Sequence, residues 1–353
     1  MMDKRRDKSL DIAKGIAILL VVWGHAGNDI IQNAVAMIHL PVFFFISGLL
    51  FCSNLKKPLK VVVKKIIKSI YVPYLIAELV AILFHNSLFK IGWYNEGILY
   101  GGRMIEPYVS IFEVIKEVAK VILLSGREPI IGSIWFLVTL LLLEGGYYTY
   151  NQILFCKWLR ENKSYEIVID IIISIVGLLS NHYFYVGRIT PVAQYWIYFS
   201  IGSLYGKDIK KYISANKKWV LVVPVFILSI IAKFFMPSNL WILENVIQIA
   251  GSFSVIIIIL AISNYLKEKT YASEILQYFG KRTLDIMILH FVGFKILSSI
   301  LHKMEIVNVN HIYMEAAGKN SVLISVVYLF FGVTITCMIE WLANKIKERE
   351  WWF

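Results

Sequence analysis

Apolar blocks long enough to cross a lipid bilayer recur along this sequence, and they limit its possible folds more than any other feature. A transmembrane helix needs about 20 predominantly apolar residues. Blocks close to that length lie at approximately residues 11–27, 34–52, 70–84, 133–155, 167–181, 191–206, 219–235, 245–265, 284–301 and 321–343. The composition agrees, since 58% of the 353 residues are hydrophobic and only 17% are charged, against about 25% charged in a soluble domain. We therefore predict an all-α polytopic membrane protein with about ten transmembrane helices in one bundle. This excludes a soluble globular domain, a disordered chain and a disulfide-rich secreted module.

The placement of the basic residues explains the formal net charge of +12. If the N-terminus is cytoplasmic, 25 of the 36 lysines and arginines lie in cytoplasmic segments, 8 lie outside and 3 lie within spans. Because basic residues favour the cytoplasmic side of a membrane protein, we predict that both termini are cytoplasmic. The same charge suits contact with anionic lipid head groups, and nucleic acid is not an expected partner. No linker or internal repeat divides the chain, so residues 1–353 are expected to form a single membrane domain.

Several common chemical signatures are absent from the sequence. Its three cysteines, Cys52, Cys156 and Cys337, form neither a disulfide framework nor a metal-ligand spacing. There is also no glycine-rich phosphate loop, no HExxH helix and no G-x-S-x-G elbow. ATP-driven transport and metalloprotease chemistry therefore lack their usual signatures, and we expect no metal cofactor.

One loop is much longer than the others and is predicted to lie outside the cell. Residues 85–132 contain a stretch, 110–124, in which apolar residues fall on one stripe and charged residues on the opposite one. This is the pattern of an amphipathic helix. The helix could lie on the outer leaflet of the membrane, or it could be a lid or acceptor-binding element above a site that opens outward.

The first predicted helix carries the densest set of ionisable residues, with Asp11, Lys14 and His25. Lys14 and His25 are eleven residues apart, which at about 100° per residue is only about 20° from three full turns. Their side chains are therefore expected to share one stripe, about 16 Å apart along the axis, with Lys14 towards the cytoplasm. An ionisable group in a span costs about 2.5–3.5 kcal/mol on insertion scales, so each is a candidate functional residue. Alternatively, Lys14 is an interfacial lysine paired with Asp11, and His25 is a hydrogen-bonded packing residue.

The second predicted helix begins outside the cell with His39, at a depth similar to that of His25. Two imidazoles at one level indicate that His25 and His39 share a site. A kink at Pro41 is the alternative explanation, because it could bury His39 without any functional role.

A lysine-rich cytoplasmic segment follows, and it includes Lys65 and Lys68. These side chains could bind anionic phosphates as point charges, or they could serve membrane topology alone. Four other polar residues lie in or next to the predicted spans and are candidates for a supporting role: Trp135, Glu144, Asp285 and His290. Asp285 is expected to pair with Arg282 or Lys14, and His290 is interpreted as a satisfied packing histidine.

Four parts of the sequence together resemble the membrane-bound acyltransferase-3 family. They are residues 10–25 with Lys14 and His25, residues 39–48 with the sequence HLPVFFFISG, residues 135–137 and residues 279–290. The likeness covers nearly the whole chain, and it is closest to the branch of fucose 4-O-acetylase-like polysaccharide acetylases. The most specific part is a basic residue and a histidine separated by ten residues. Some members have Arg-x-x-Arg where this chain has Lys65-x-x-Lys68, so the match at those lysines is weaker.

The resemblance implies transfer of an acyl group, usually acetyl, from cytoplasmic acetyl-CoA to a hydroxyl of a surface glycan or its lipid-linked precursor. Lys14, Lys65 and Lys68 would bind the CoA phosphates. His25 would act as general base or would itself be transiently acylated, and His39 would orient His25 or the acceptor. The expected location is the bacterial cytoplasmic membrane.

A transporter or flippase of a lipid-linked glycan or exopolysaccharide is the alternative function. Intramembrane histidine, aspartate and glutamate residues also suit proton relays. Matching pairs of glycine- or proline-broken spans in two halves of the chain would favour this alternative, and the sequence has no such pair.

Overall fold

The computed structural model of the protein describes residues 6–100, 103–126, 128–154, 163–215, 217–268, 270–306 and 321–350. Cys156 lies outside these residues. In chain order the α-helices are α1 (Lys8–Gly24), α2 (Asp29–Phe51), α3 (Leu59–Ile66), α4 (Val72–Lys90), α5 (Ile111–Ile122), α6 (Trp135–Thr149), α7 (Lys163–Tyr183), α8 (Ile189–Ala215), α9 (Val223–Phe235), α10 (Trp241–Leu266), α11 (Thr270–Lys281), α12 (Thr283–Lys303) and α13 (Val322–Glu350). Short 3₁₀ or π segments adjoin them at Cys52–Asn54, Ile67–Tyr71, Pro129–Ile134, Tyr150–Leu154, Lys218–Val222 and Ser238–Leu240.

The architecture confirms the predicted class of an all-α polytopic membrane protein. Within the described residues, eight helical stretches are long and apolar enough to cross a membrane: Asp29–Asn54, Leu59–Lys90, Pro129–Gln152, Tyr165–Tyr183, Lys218–Phe235, Ser238–Leu266, Thr283–Lys303 and Val322–Leu342. The two remaining predicted spans coincide with α1 and α8. A two-stranded antiparallel hairpin, β1 (Ile98–Tyr100) with β2 (Arg103–Ile105), is the β-structure of the described part of the chain.

The chain forms two compact units. The first contains residues up to Ala17, Ala36–Tyr71 and Phe136–Lys281. In it, α7 packs along α8 and α9 packs along α10. A buried carboxylate lies between α7 and α8, because Asp170 accepts hydrogen bonds from the Trp196 indole and the Ser200 hydroxyl. The spacing of polar residues in the sequence did not single out this aspartate.

The second unit contains Ile18–Val35, Val72–Trp135 and residues from Arg282 onward. In it, α12 packs along α13 and also against the 3₁₀ segment Pro129–Ile134, while α4 packs against α5. The Ser133 hydroxyl in that 3₁₀ segment donates to the backbone carbonyl of Met287, at 2.5 Å. The middle of α12, where His290 lies, is therefore packed against two other elements of the same unit.

Helices α1 and α11 approach each other closely in the first unit because two glycines leave room for backbone contact. A Cβ added to Gly280 would lie 1.7 Å from the carbonyl oxygen of Asp11, and one added to Gly15 would lie 2.1 Å from the carbonyl oxygen of Leu276. Backbone atoms cannot move aside as a flexible side chain can. Gly15 therefore keeps the surface of α1 low next to Lys14, which allows α11 to approach it.

We expect Gly280→Ala to destabilise the protein by about 1–3 kcal/mol, because the added methyl group overpacks a backbone contact. Gly145→Ala is the matched control, since a Cβ at Gly145 would meet no atom within 4 Å. Thermal unfolding in detergent measures both variants. Equal midpoints for Gly280→Ala and Gly145→Ala would contradict the close contact.

Candidate active site

The ring of His25 lies beside the ring of His290 in the second unit. His25 directly follows α1, and its backbone N–H donates to the carbonyls of Val21 and Val22. The centroids of the two imidazoles are 5.5 Å apart, with 28° between the ring planes. The Phe291 ring lies 5.2 Å from that of His25. Two titratable imidazole rings thus lie side by side in this unit.

His290 is fully buried, and its hydrogen bonds define its tautomer. Nδ1 lies 2.9 Å from the carbonyl oxygen of Ile286, and because a carbonyl only accepts, Nδ1 must carry the hydrogen. The lone pair of the neutral ring is then on Nε2, which is buried and has no hydrogen-bond partner among the described residues. A buried polar atom without a partner costs about 1–3 kcal/mol. His290 is therefore not the fully satisfied packing histidine that we expected from the sequence.

Aromatic rings and short hydrogen bonds surround this pair of histidines. The ring of Phe294 packs edge-on against His290, with centroids 5.5 Å apart, and also against Tyr328. The Tyr328 hydroxyl lies 2.8 Å from that of Ser298. These contacts join α12 to α13 and place the Nε2 atom of His290 in apolar surroundings, where an electrostatic interaction is stronger than in water.

A second polar cluster lies at the N-terminal end of α1, in the first unit. The carboxylate of Asp11 is buried and accepts from Nε of Arg6 at 2.6 Å, and its other oxygen lies 3.0 Å from Nζ of Lys14. The pairing of Lys14 with Asp11, which was one of the two interpretations, is therefore present. Nearby, burial opposes ionisation of Asp7, but hydrogen bonds from Lys210 and Ser9 outweigh it and lower the pKa of that carboxyl.

The other predicted site residues are spread over both units. In the first unit His39 is buried on α2, Glu144 lies on α6, and Lys65 and Lys68 are exposed on and after α3. The Lys65 ammonium is the charge that acts electrostatically on the Glu144 carboxylate. The proximity of His39 to His25 therefore stays a prediction, as does a shared phosphate-binding role for the lysines.

Asp285 and Trp135 lie in the second unit. Asp285 is near the N-terminal end of α12 and lines an apolar cavity of about 510 Å³ between α4, α12 and the 3₁₀ segment Pro129–Ile134. Arg282, one of its two expected partners, donates to Glu340 with an Nε–O distance of 2.5 Å and also acts electrostatically on the Asp285 carboxylate. Trp135 is half-buried at the start of α6. Lys295, also on α12, is buried at 2% exposure.

His85, for which no sequence pattern indicates a role, is the centre of a buried network in the second unit. Its Nε2 lies 2.9 Å from the backbone carbonyl of Glu106, and its Nδ1 lies 3.0 Å from the Glu128 carboxylate. That carboxylate also accepts from the hydroxyls of Tyr108, at 2.7 Å, and Tyr94, at 3.2 Å. A carboxylate with three donors is ionised, and an imidazole whose two nitrogens both face acceptors is an imidazolium. The network is thus centred on a buried His85–Glu128 ion pair.

The tyrosines of this network remain hydrogen-bond donors at ordinary pH. Burial and the Glu128 carboxylate raise the pKa of the Tyr108 hydroxyl well above its usual value, and the same causes raise that of Tyr94. The side chain of Asn86 adds two hydrogen bonds to the backbone of Tyr108, each 2.8 Å long. The segment between α4 and α6 is therefore fixed to α4 by polar contacts at several points. No motif spacing could have revealed them, because their members are up to 43 residues apart.

The amphipathic helix predicted over residues 110–124 is present as α5. Its N-cap is Ser110, and the Ser110 hydroxyl accepts a hydrogen bond from the backbone N–H of Glu113. Part of its apolar stripe is exposed, with Ile111 at 74% and Ile115 at 58% exposure, whereas Val121 near its C-terminal end is buried. On the charged side, Glu117 lines a small cavity beside His85 and Glu128. An exposed apolar stripe on a helix next to a membrane favours contact with the outer leaflet.

These features define an α-helical integral membrane protein in which a half-buried histidine after α1 lies beside a buried histidine of α12. Residues 7–341 match the acyltransferase-3 family, described as an acyltransferase domain. Because the match covers nearly the whole chain, this protein belongs to that family of membrane acyltransferases. No curated protein and no solved structure matches the chain.

Proposed function

We propose that this acyltransferase moves an acyl group, expected to be acetyl, from cytoplasmic acyl-CoA to a hydroxyl of a cell-surface polysaccharide or its lipid-linked precursor. The proposed location is a bacterial cytoplasmic membrane, and the proposed subgroup is the fucose 4-O-acetylase-like branch. The observation that carries the proposal is the placement of His25 beside a second imidazole, in a chain whose family performs acyl transfer. Transport of a glycan is not favoured, because the family match points to transfer chemistry.

His25 is the proposed catalytic residue. As a general base it would take the proton from the acceptor hydroxyl while the hydroxyl oxygen attacks the thioester carbon. As a nucleophile it would first receive the acyl group and then pass it to the acceptor. His39 would orient His25 or the acceptor in either mechanism. Both mechanisms release CoA as a thiol and form an ester on the glycan.

Lys14, Lys65 and Lys68 are the proposed donor-binding residues. An ammonium group attracts phosphate as a point charge, and CoA carries several phosphate groups. Lys14 is also fixed in position, because Asp11 lies 3.0 Å from its ammonium and Gly15 packs against α11. Its side chain keeps 20% exposure. Lys65 and Lys68 are more exposed and are therefore expected to contribute less.

We expect Lys14→Gln to raise the KM for acetyl-CoA about tenfold with a smaller change in kcat, because the loss of one charge–phosphate hydrogen bond is worth roughly 1.5 kcal/mol. Lys267→Gln is the control, since Lys267 is exposed beyond the C-terminal end of α10. The assay follows release of CoA thiol from protein reconstituted in liposomes, with and without added polysaccharide.

The same assay tests the proposed acyl transfer itself. Thiol release that depends on the glycan supports acyl transfer, and a wild-type protein that releases no thiol from acetyl-CoA or longer acyl-CoA contradicts it.

A further inference from the structure

The lone pair on Nε2 of His290 is the least explained polar feature of the second unit. The atom is buried, has no hydrogen-bond partner among the described residues, and belongs to a ring stacked beside His25. The hydrogen bond from Nδ1 to the carbonyl of Ile286 prevents the neutral ring from exchanging its two nitrogens without losing that bond. The lone pair of Nε2 is thus available to accept a hydrogen bond or a proton. A group with a hydrogen to donate would complete its bonding.

We propose that His290 accepts the proton of the acceptor hydroxyl, and that His25 carries the acyl group. This inference rests on the proposed function and extends it to a second catalytic residue. Acyl transfer through an imidazole needs a nearby base, because an acylated ring cannot also remove the proton of the incoming hydroxyl. His290 is the imidazole whose centroid lies 5.5 Å from that of His25.

The transfer has two balanced steps. In the first, a ring nitrogen of His25 bonds to the thioester carbon, the carbon–sulfur bond breaks and its electron pair leaves with CoA as the thiolate. In the second, the hydroxyl oxygen bonds to the acyl carbon, the carbon–nitrogen bond to His25 breaks and its electron pair returns to the ring. The hydroxyl proton moves to Nε2 of His290 and then passes to the thiolate, which completes the CoA thiol.

The local structure suits the base role of His290 in two ways. Its Nδ1–H stays bonded to the Ile286 carbonyl, which stabilises the imidazolium formed when Nε2 is protonated. The aromatic rings of Phe291 and Phe294, with centroids 4.3 and 5.5 Å from that of His290, restrict water near the pair. Exclusion of water protects an acyl-imidazole from hydrolysis.

His290→Asn is the variant that tests this role. The asparagine amide can still donate towards the Ile286 carbonyl, but nothing replaces Nε2 as a base. Reconstituted protein is mixed with acetyl-CoA labelled in the acetyl group, quenched rapidly, and assayed for label on the protein and on the glycan. We expect transfer to the glycan to fall 10²–10⁴-fold, the usual contribution of a general base. We also expect acetyl-labelled protein to accumulate, whereas a purely structural role would not cause accumulation.

Two further measurements keep the outcomes distinct. The double variant His25→Gln with His290→Asn should carry no label, and His290→Gln should behave like His290→Asn if one substitution folds poorly. Transfer within threefold of wild type in His290→Asn would overturn the inference, and so would an inactive, folded variant without labelled protein. A wild-type protein that transfers no acetyl group would instead contradict the proposed function itself.

Discussion

His25→Gln is expected to reduce acyl transfer by at least 10²–10⁴-fold while the protein still folds and inserts into the membrane. The amide side chain has a similar size but cannot act as a base or carry an acyl group at neutral pH. The loss should appear in kcat, because His25 acts on the reacting atoms and not on the CoA phosphates. Initial rates of glycan acylation at saturating acetyl-CoA measure it.

His182→Gln is the matched control for this result. The ring of His182 is exposed and stacks on Trp241, with centroids 4.1 Å apart, in the first unit. The same chemical change there should leave the rate within twofold of wild type. Retained activity in His25→Gln would show that His25 is a packing residue, which is the interpretation that the sequence left open.

Glu128→Ala is expected to lower the free energy of unfolding by about 3–5 kcal/mol. The cause is the loss of one member of a buried ion pair, which leaves the other charge uncompensated. Both side chains are almost fully buried, with His85 at 5% and Glu128 at 6% exposure. The hydroxyls of Tyr94 and Tyr108 lose their acceptor as well. Thermal and denaturant unfolding in detergent measure the change, and limited proteolysis should show faster cleavage within residues 91–128.

Glu106→Ala is the control for this prediction. The side chain of Glu106 is exposed, whereas its backbone carbonyl accepts from His85 and remains in the variant. Its stability should stay within about 0.5 kcal/mol of wild type. If Glu128→Ala and Glu106→Ala unfold alike, the His85–Glu128 pair does not stabilise the segment between α4 and α6.

Features that depend on local sequence pattern could be predicted before the structure. Apolar blocks of membrane-spanning length predicted the helical class, and the 3.6-residue periodicity predicted α5 to within two residues at each end. The Asp11–Lys14 pair was also predictable, because residues three apart lie on one face of a helix.

Features that depend on tertiary packing could not be read from the sequence. His85 and Glu128 are 43 residues apart, and His25 and His290 meet only because α1 and α12 are brought together. Burial also depends on the packing of neighbouring helices. The burial of Lys295, and the lack of a hydrogen-bond partner for Nε2 of His290 among the described residues, could therefore be found only from the packed structure.

The most direct test of the central claim follows both parts of the donor in one reaction. Purified protein in liposomes receives acyl-CoA labelled with ¹⁴C in the acetyl group and ³H in the adenine, together with glycan acceptors. The account predicts that ¹⁴C appears on the glycan as an alkali-labile ester, while ³H stays soluble as free CoA in equal amount. In His25→Gln neither change should occur. Glycan that crosses the membrane without ¹⁴C, or ¹⁴C transfer that persists in His25→Gln, would contradict the account.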